Sequence, residues 1–348
     1  MDIRLVGFGG LMGGVIACGT VAEAAVLKVP QQYTTIQAAV SAAQEGDTVW
    51  VAAGTYAERI LISDKAIGLV GAGAGQTTID AAHTGRPLTV STTGTGQVKV
   101  SGFTLRNGLV NWDNLGVIGA GQGGGVYAEY ANVVLRNNVI TNNLGCLGTS
   151  VATLEATMTM TRNRIENNPG NHDCGQQSVI IRANRGAEST VSGNVIQNHN
   201  VTGLVLQGAG KVTVSNNIFR NNMADWDNFG IEHGALLSLY TEVTLTNNMF
   251  AGNYGYGVGG AYLTESETGA PVRITGNSFV GNSSGVGPSS LMLASLGPPQ
   301  DTIVKSNQFD ESVDRPIISC VFGISVDESN VFASDRDAAL AGGCVPAE

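Results

Sequence analysis

The chain has 348 residues, 18 Lys and Arg against 28 Asp and Glu, a net charge of −10 and 43% hydrophobic residues, enough for a sizeable core in one large domain or two smaller ones. The acidic balance excludes nucleic acid as a partner, and an acidic polymer would need a bridging cation. Charged residues reach only 13% beside 48 glycines, which argues against a helical bundle, whose exposed faces need charge.

Residues 1–24 read as an export signal. Arg4 supplies the positive charge, Leu5 to Val21 is apolar, and Ala22-Glu23-Ala24 offers a small-x-small cut. The alternative is a lipoprotein signal ending before Cys18, with "VIAC" at 15–18 as the lipobox. Either cut leaves no transmembrane segment in the mature chain, which is expected to be secreted, periplasmic or at the cell surface. Four cysteines remain: Cys146, Cys174, Cys320 and Cys344. An even number in an exported chain predicts two disulfides. Of the three connectivities, local pairing of Cys146 with Cys174 and Cys320 with Cys344 is the expected one.

Next, "VLKVP" reads as a first strand. "TTIQAAVSAAQEGD" reads as a short amphipathic helix with Thr34 or Thr35 as N-cap, closing the open end of a repeating structure. From there one pattern recurs: "VVLRNNVITNN", "MTMTRNRIENN", "STVSGNVIQNH", "VTVSNNIFRNN", "VTLTNNMFAGN", "VRITGNSFVGN" and "TIVKSNQFDES". The copies align on Asn138, Asn163, Asn194, Asn217, Asn248, Asn277 and Asn307. Phe103 takes the same column in an earlier copy, and Asn330 belongs to a decayed one. A period of roughly 20–50 residues marks a solenoid. In each copy an alternating strand such as Val212-Thr213-Val214-Ser215 is followed by a corner, a short strand, and a second corner at Asn143, Asn168, Asn222, Asn253 or Asn282. A third strand such as "GLVLQG" completes the coil. Asn suits the left-handed backbone of a sharp corner, and stacked amides can hydrogen-bond as a ladder. The pattern predicts nine or ten coils.

With these elements the chain resembles the right-handed parallel β-helices of the pectin-lyase-like superfamily over nearly all of its mature length. The resemblance implies an all-β, single-stranded right-handed parallel β-helix with an N-terminal capping helix. It would form one domain over 25–348, closed by a C-terminal cap at about 318–348. The superfamily holds lyases, hydrolases, esterases, epimerases and non-enzymes, so it does not by itself imply an activity. Gly54, Tyr56 and Glu58 match the Gly-x-Tyr-x-Glu element of pectin methylesterases, but the catalytic aspartate segments are missing, so these residues read as part of the first coil. The polygalacturonase and pectate lyase signatures are missing too.

One constellation does point to chemistry. "VNWDNLG" at 110–116 returns as "ADWDNFG" at 224–230, and "GNHDCG" places His172 and Asp173 in the same register. Asp113, Asp173 and Asp227 therefore share a column on alternate coils, about 10 Å apart along one edge. Trp112 and Trp226 beside these carboxylates suit a sugar groove, where an indole covers a sugar face and polar groups bind hydroxyls. The bland reading is a turn with a packed indole. Asp225, Asp227 and Glu232 could hold calcium, which takes oxygen ligands. Glu232 and His233 are the candidate acid–base pair. Arg182, Arg185 and Lys211 are the candidates for neutralising a uronate. The expected function is an exported β-helix engaging extracellular polysaccharide, with or without lyase-like chemistry. The alternative is a non-catalytic surface or adhesin-like β-helix.

Overall fold

The computed structural model describes residues 23–94, 96–111, 118–170, 177–182, 187–208, 210–225, 233–266, 269–270, 272–294, 302–311 and 315–346. The chain winds as a right-handed parallel β-helix. Three stacked sheets run along it, named here by the order of strands within a coil. Lys211–Ser215 belongs to the first sheet, Ile218–Arg220 to the second and Thr202–Gln207 to the third. The first and third merge at the C-terminal end. There Ile318–Val326 pairs with Leu291–Ala294 at its start and, through Val326, with Val304 near its end. Among the described residues the second sheet holds eleven strands, from Gly54–Tyr56 to Val331–Phe332. That exceeds the nine or ten coils expected, because the first strands, "GTY" and "TTID", lack the asparagine that marks later copies.

Alternation in the first sheet places Val212 and Val214 in the core and leaves Lys211, Thr213 and Ser215 half exposed. The second sheet supplies one inward residue per coil. Ile140, Ile165 and Ile196 stack in register, followed by Phe219, Phe250, Phe279, Phe309 and Phe332. The phenyl rings lie 4.7–5.0 Å apart and within 11° of parallel. The strand spacing of about 4.8 Å imposes that offset stack, which adds to the area buried.

The asparagine ladder forms as expected, with a division of labour the sequence did not reveal. Each aligned Asn is buried. Its Nδ2 donates to the Oδ1 of the next coil's Asn, from Asn138 through Asn163, Asn194, Asn217, Asn248, Asn277 and Asn307 to Asn330, at 2.9–3.2 Å. The same Oδ1 accepts the preceding rung's backbone N–H, as from Asn194 to Asn217 at 2.9 Å. The left-handed conformation belongs instead to the residue just before: Asn137, Arg162, Gly193, Asn216, Asn247, Gly276 or Ser306. In "NN" the first residue makes the turn and the second makes the ladder. A second ladder joins Asn143 to Asn168 and Asn222 to Asn253 and Asn282, ending on Glu311 Oε1 at 2.8 Å. His199 takes the rung between Asn168 and Asn222; its Nδ1 lies 3.2 Å from the N–H of Asn168. Glycine runs sit where coils touch. At Gly260 a Cβ would lie 2.1 Å from the carbonyl oxygen of Ser290.

The helix Ile36–Ala42 closes the N-terminal end, with Thr35 as N-cap accepting from Ala38 N–H. Glu58 accepts the N–H groups of Ile36 and Gln37 at 2.9 Å, which gives the Gly54–Glu58 element a capping role. The Gln37 amide bonds both the N–H and the carbonyl of Leu61, satisfying the exposed edge of Ile60–Ser63. At the other end Cys320 and Cys344 form a disulfide between Ile318–Val326 and Leu340–Pro346. Cys146 is also disulfide-bonded; Cys174 lies outside the described residues. Apart from the capping helix, the described residues contain one helical turn, Arg336–Ala339. No helix among them is long and apolar enough to cross a membrane.

Candidate functional site

The third sheet departs from simple alternation. Its inward residues, such as Val126, Val179 and Leu204, join the solenoid core. Its outward residues Tyr127, Ala152, Ile180 and Val205 follow one another in register and are also buried, forming a separate apolar cluster flanked by Leu154 and Leu237. The sequence carried the signal: "SVIIR" and "TGLVLQ" are nearly unbroken apolar runs, the mark of a strand covered on both faces.

Part of the cover is the strap Ile118–Gly123, held by Arg86. Arg86 is 3% exposed, and its guanidinium lies 4.9 Å from the Tyr127 ring centroid. It donates to the carbonyls of Gly123 at 2.6 Å, Gly119 at 2.8 Å and Ile118 at 3.1 Å, to Thr89 Oγ1 at 3.0 Å, and to the carbonyl of Gln122. Burial lowers its pKa to about 10, so it stays charged near neutral pH, its charge met by carbonyl dipoles and by nearby Glu129. Gly119 packs onto Tyr127 so closely that a Cβ would lie 2.3 Å from the ring.

Beside this cluster runs a half-open polar row. Ser91, Glu129 and Leu154 are in register, as are Arg182 and Gln207. Glu129 accepts from Tyr127 Oη at 3.0 Å and from Ser91 Oγ at 2.9 Å. Arg182 Nη2 donates to Gln122 Oε1 at 2.8 Å. Burial pushes the Tyr127 phenol up and the Arg182 guanidinium down, and the neighbouring Glu129 raises the phenol further. Carboxylate, amide and guanidinium along one sheet edge can bind a hydroxyl-rich chain, with the buried Tyr127 phenol orienting Glu129. Of this set only Arg182 was singled out from sequence. Arg86, Tyr127 and Glu129 escaped because no repeat or motif carries them.

Other candidates fall elsewhere. Lys211 lies on the outer face of the first sheet, 3.6 Å from Glu188 and 3.9 Å from Glu242. Arg185 lies outside the described residues, as do Trp112, Asp113, His172, Asp173, Trp226, Asp227 and Glu232. Chain order still locates the segments that carry them. Those with Trp112 and Asp113, His172 and Asp173, and Trp226, Asp227 and Glu232 precede Val126–Glu129, Gln177–Arg182 and Leu236–Tyr240, alternate strands of the third sheet with Val151–Leu154 and Thr202–Gln207 between. Asp225 is exposed just after the short strand Met223–Ala224. Among the described residues no three His, Cys, Asp or Glu gather as a metal site. His233 is buried, its ring stacked on Tyr262 at 4.4 Å, and burial alone lowers its pKa to about 4.

The coil geometry and the sequence agree on a class. The chain belongs to the right-handed β-helix family, whose profile, described as "Right handed beta helix region", matches residues 88–262 and 171–309. Its architecture is that of the pectin-lyase-like superfamily. Solved structures similar to it include the A-module of the mannuronan C-5 epimerase AlgE6 of Azotobacter vinelandii, 18% identical, with 86% of this chain and 95% of that one covered and a TM-score of 0.44. The AlgE4 A-module from the same organism is 16% identical, with 87% and 91% covered and a TM-score of 0.36. Pectin methylesterase PemA of Erwinia chrysanthemi is 12% identical, with 90% and 81% covered and a TM-score of 0.30. At these identities the likeness concerns the fold alone. No curated protein matches the chain.

Proposed function

We propose that the chain is an exported β-helix that engages an extracellular polysaccharide along the outer edge of its third sheet. The observation that carries this reading is the half-open row of Glu129, Arg182 and Gln207, flanked by Tyr127, on the sheet whose alternate strands follow the Trp- and Asp-bearing segments. Trp112 and Trp226 would cover sugar faces, and Asp113, His172, Asp173 and Asp227 would bind hydroxyls. A calcium ion held by Asp225 and Asp227 would let an acidic polymer approach a chain of net charge −10. Export is supported by the cystines, which persist in oxidising compartments. The test is binding of neutral and acidic polysaccharides, with calcium or chelator, to wild type, Trp112→Ala and Trp226→Ala. Each variant should bind about tenfold more weakly with an unchanged fold. Wild-type affinity in both variants would sink the reading.

A second reading, a surface β-helix without catalysis, is favoured by the burial of His233, since a base working near neutral pH needs a pKa near 7. Bond cleavage or epimerisation by the wild type that is lost in Glu232→Gln would reject it.

A further inference from the structure

Two tyrosines hold a backbone conformation that their side chains disfavour. Tyr130 has φ of 51° and Tyr240 has φ of 58°, in the left-handed region. The corner imposes this conformation, since Glu155 in the same column has φ of 48°, but a bulky aromatic side chain is poorly suited to it. Neither ring is buried in recompense: Tyr130 is 49% exposed and Tyr240 43%.

Their positions are related. Each directly follows or ends a third-sheet strand, Val126–Glu129 and Leu236–Tyr240. The Tyr130 N–H bonds the carbonyl of Leu154, so Tyr130 stands above Glu155; the Gly208 N–H bonds Leu239, so Gly208 stands above Tyr240. Both tyrosines thus belong to one corner column, in which the described intervening corners use Glu155 and Gly208, residues that present no ring. Four coil steps separate them, about 19 Å at about 4.8 Å each. Between them, past Leu154, the polar row presents Arg182 and Gln207. In the chain, the two Trp-Asp-Asn segments precede these same two strands.

We infer that Tyr130 and Tyr240 are paired stacking platforms for one linear polysaccharide lying parallel to the solenoid axis, spanning four coils across Arg182. An exposed ring offers its face to the apolar face of a sugar and its hydroxyl to water. Two platforms at fixed separation select an extended chain long enough to touch both. The inference rests on the polysaccharide reading above and adds to it the residues, the direction and the minimum length of the ligand.

The experiment uses Tyr130→Asn, Tyr240→Asn and the matching Phe variants of the full chain, titrated with a polysaccharide that the wild type binds and with its size-fractionated oligosaccharides. Asn accepts the left-handed conformation, so each Asn variant should melt at or above the wild-type temperature while binding the polymer about tenfold more weakly. The Phe variants should bind as wild type. Oligosaccharides shorter than about 19 Å should bind equally to wild type and to one or other Asn variant, having lost the second platform. Asn variants that melt lower and bind normally would overturn the inference, because the rings would then serve the fold. If Trp112→Ala and Trp226→Ala weaken binding but the Tyr variants do not, the inference fails and the polysaccharide reading stands. If the wild type binds no polysaccharide, both fail.

Discussion

His199 interrupts an otherwise amide ladder, and replacing it with Asn should stabilise the protein. In intact rungs one amide oxygen accepts both a backbone N–H and a side-chain N–H from the coil before, as Asn253 Oδ1 does from Asn222 at 3.1 and 3.0 Å. At the His199 rung only Nδ1 meets Asn168, and both His199 Nε2 and Asn222 Oδ1 are buried without a hydrogen-bond partner. An unpaired buried polar atom costs about 1–3 kcal/mol, and a restored hydrogen bond contributes about 1 kcal/mol. The smaller side chain leaves a void that offsets about 1 kcal/mol. His199→Asn should therefore gain about 1–2 kcal/mol at pH 7. Its signature is in the pH dependence. Burial lowers the folded-state pKa to about 4, below the unfolded value of about 6.5, so the unfolded chain takes up the proton first as pH falls. The contribution of neutral His199 is complete above pH of about 6.5 and is lost as pH falls towards 4, about 2 kcal/mol of it between pH 7 and 5. His233 titrates in the same window and remains in the variant. Urea unfolding followed by fluorescence at pH 7 and pH 5 should show the variant's advantage growing at the lower pH. A variant less stable at pH 7, or one that keeps the full wild-type difference between the two pH values, would refute the reasoning.

Three further outcomes are expected. Asn217→Leu removes bonds to Val191, Asn194 and Asn248 and should cost about 1–3 kcal/mol, read as a lower urea midpoint; an unchanged midpoint would place Asn217 outside the ladder. Arg86→Leu strands the carbonyls of Ile118, Gly119, Gln122 and Gly123 and should cost at least about 3 kcal/mol and open the strap to limited proteolysis; resistance equal to wild type would mean that other contacts hold it. Cys344→Ser releases a link across 24 residues and should cost about 3 kcal/mol, with faster amide exchange confined to Leu340–Pro346 and its neighbouring strand; exchange spread evenly along the solenoid would contradict a local cap.

Repetition decided how much of the molecule was legible in its sequence. A ladder amide must recur at every coil, so Asn138 to Asn330 stood out, and with them the inward Ile and Phe column and the strand alternation. Coils without the asparagine, at Gly54–Tyr56 and Thr77–Asp80, went uncounted. Which member of an Asn pair turns the chain depends on φ, and composition carries no sign of it. The site was less legible because it does not repeat. Arg86 reaches Gln122 across 36 residues, and Arg182 reaches the same residue across 60. Tyr130 and Tyr240 look like ordinary strand residues until their backbone is seen. The Trp-Asp-Asn segments were legible as a pair, and in chain order they precede two strands, Val126–Glu129 and Leu236–Tyr240, of the sheet that carries the polar row.

The amide ladder is also a gauge that ignores contour length. The chain runs 23 residues from Asn194 to Asn217 and 31 from Asn217 to Asn248, yet the amide contacts are 3.0 and 2.9 Å. The eight extra residues do not change the pitch: the next rung, Asn248 to Asn277, closes at 3.0 Å. Doubling such a loop adds only about 0.6 kcal/mol of closure entropy. Spine and corner are thus separately adjustable: the spine sets the spacing of whatever stands on it, and the corner sets how far each segment reaches outward. A lineage with this architecture can redraw its outer contour coil by coil, by insertion or deletion, without disturbing the neighbouring coils.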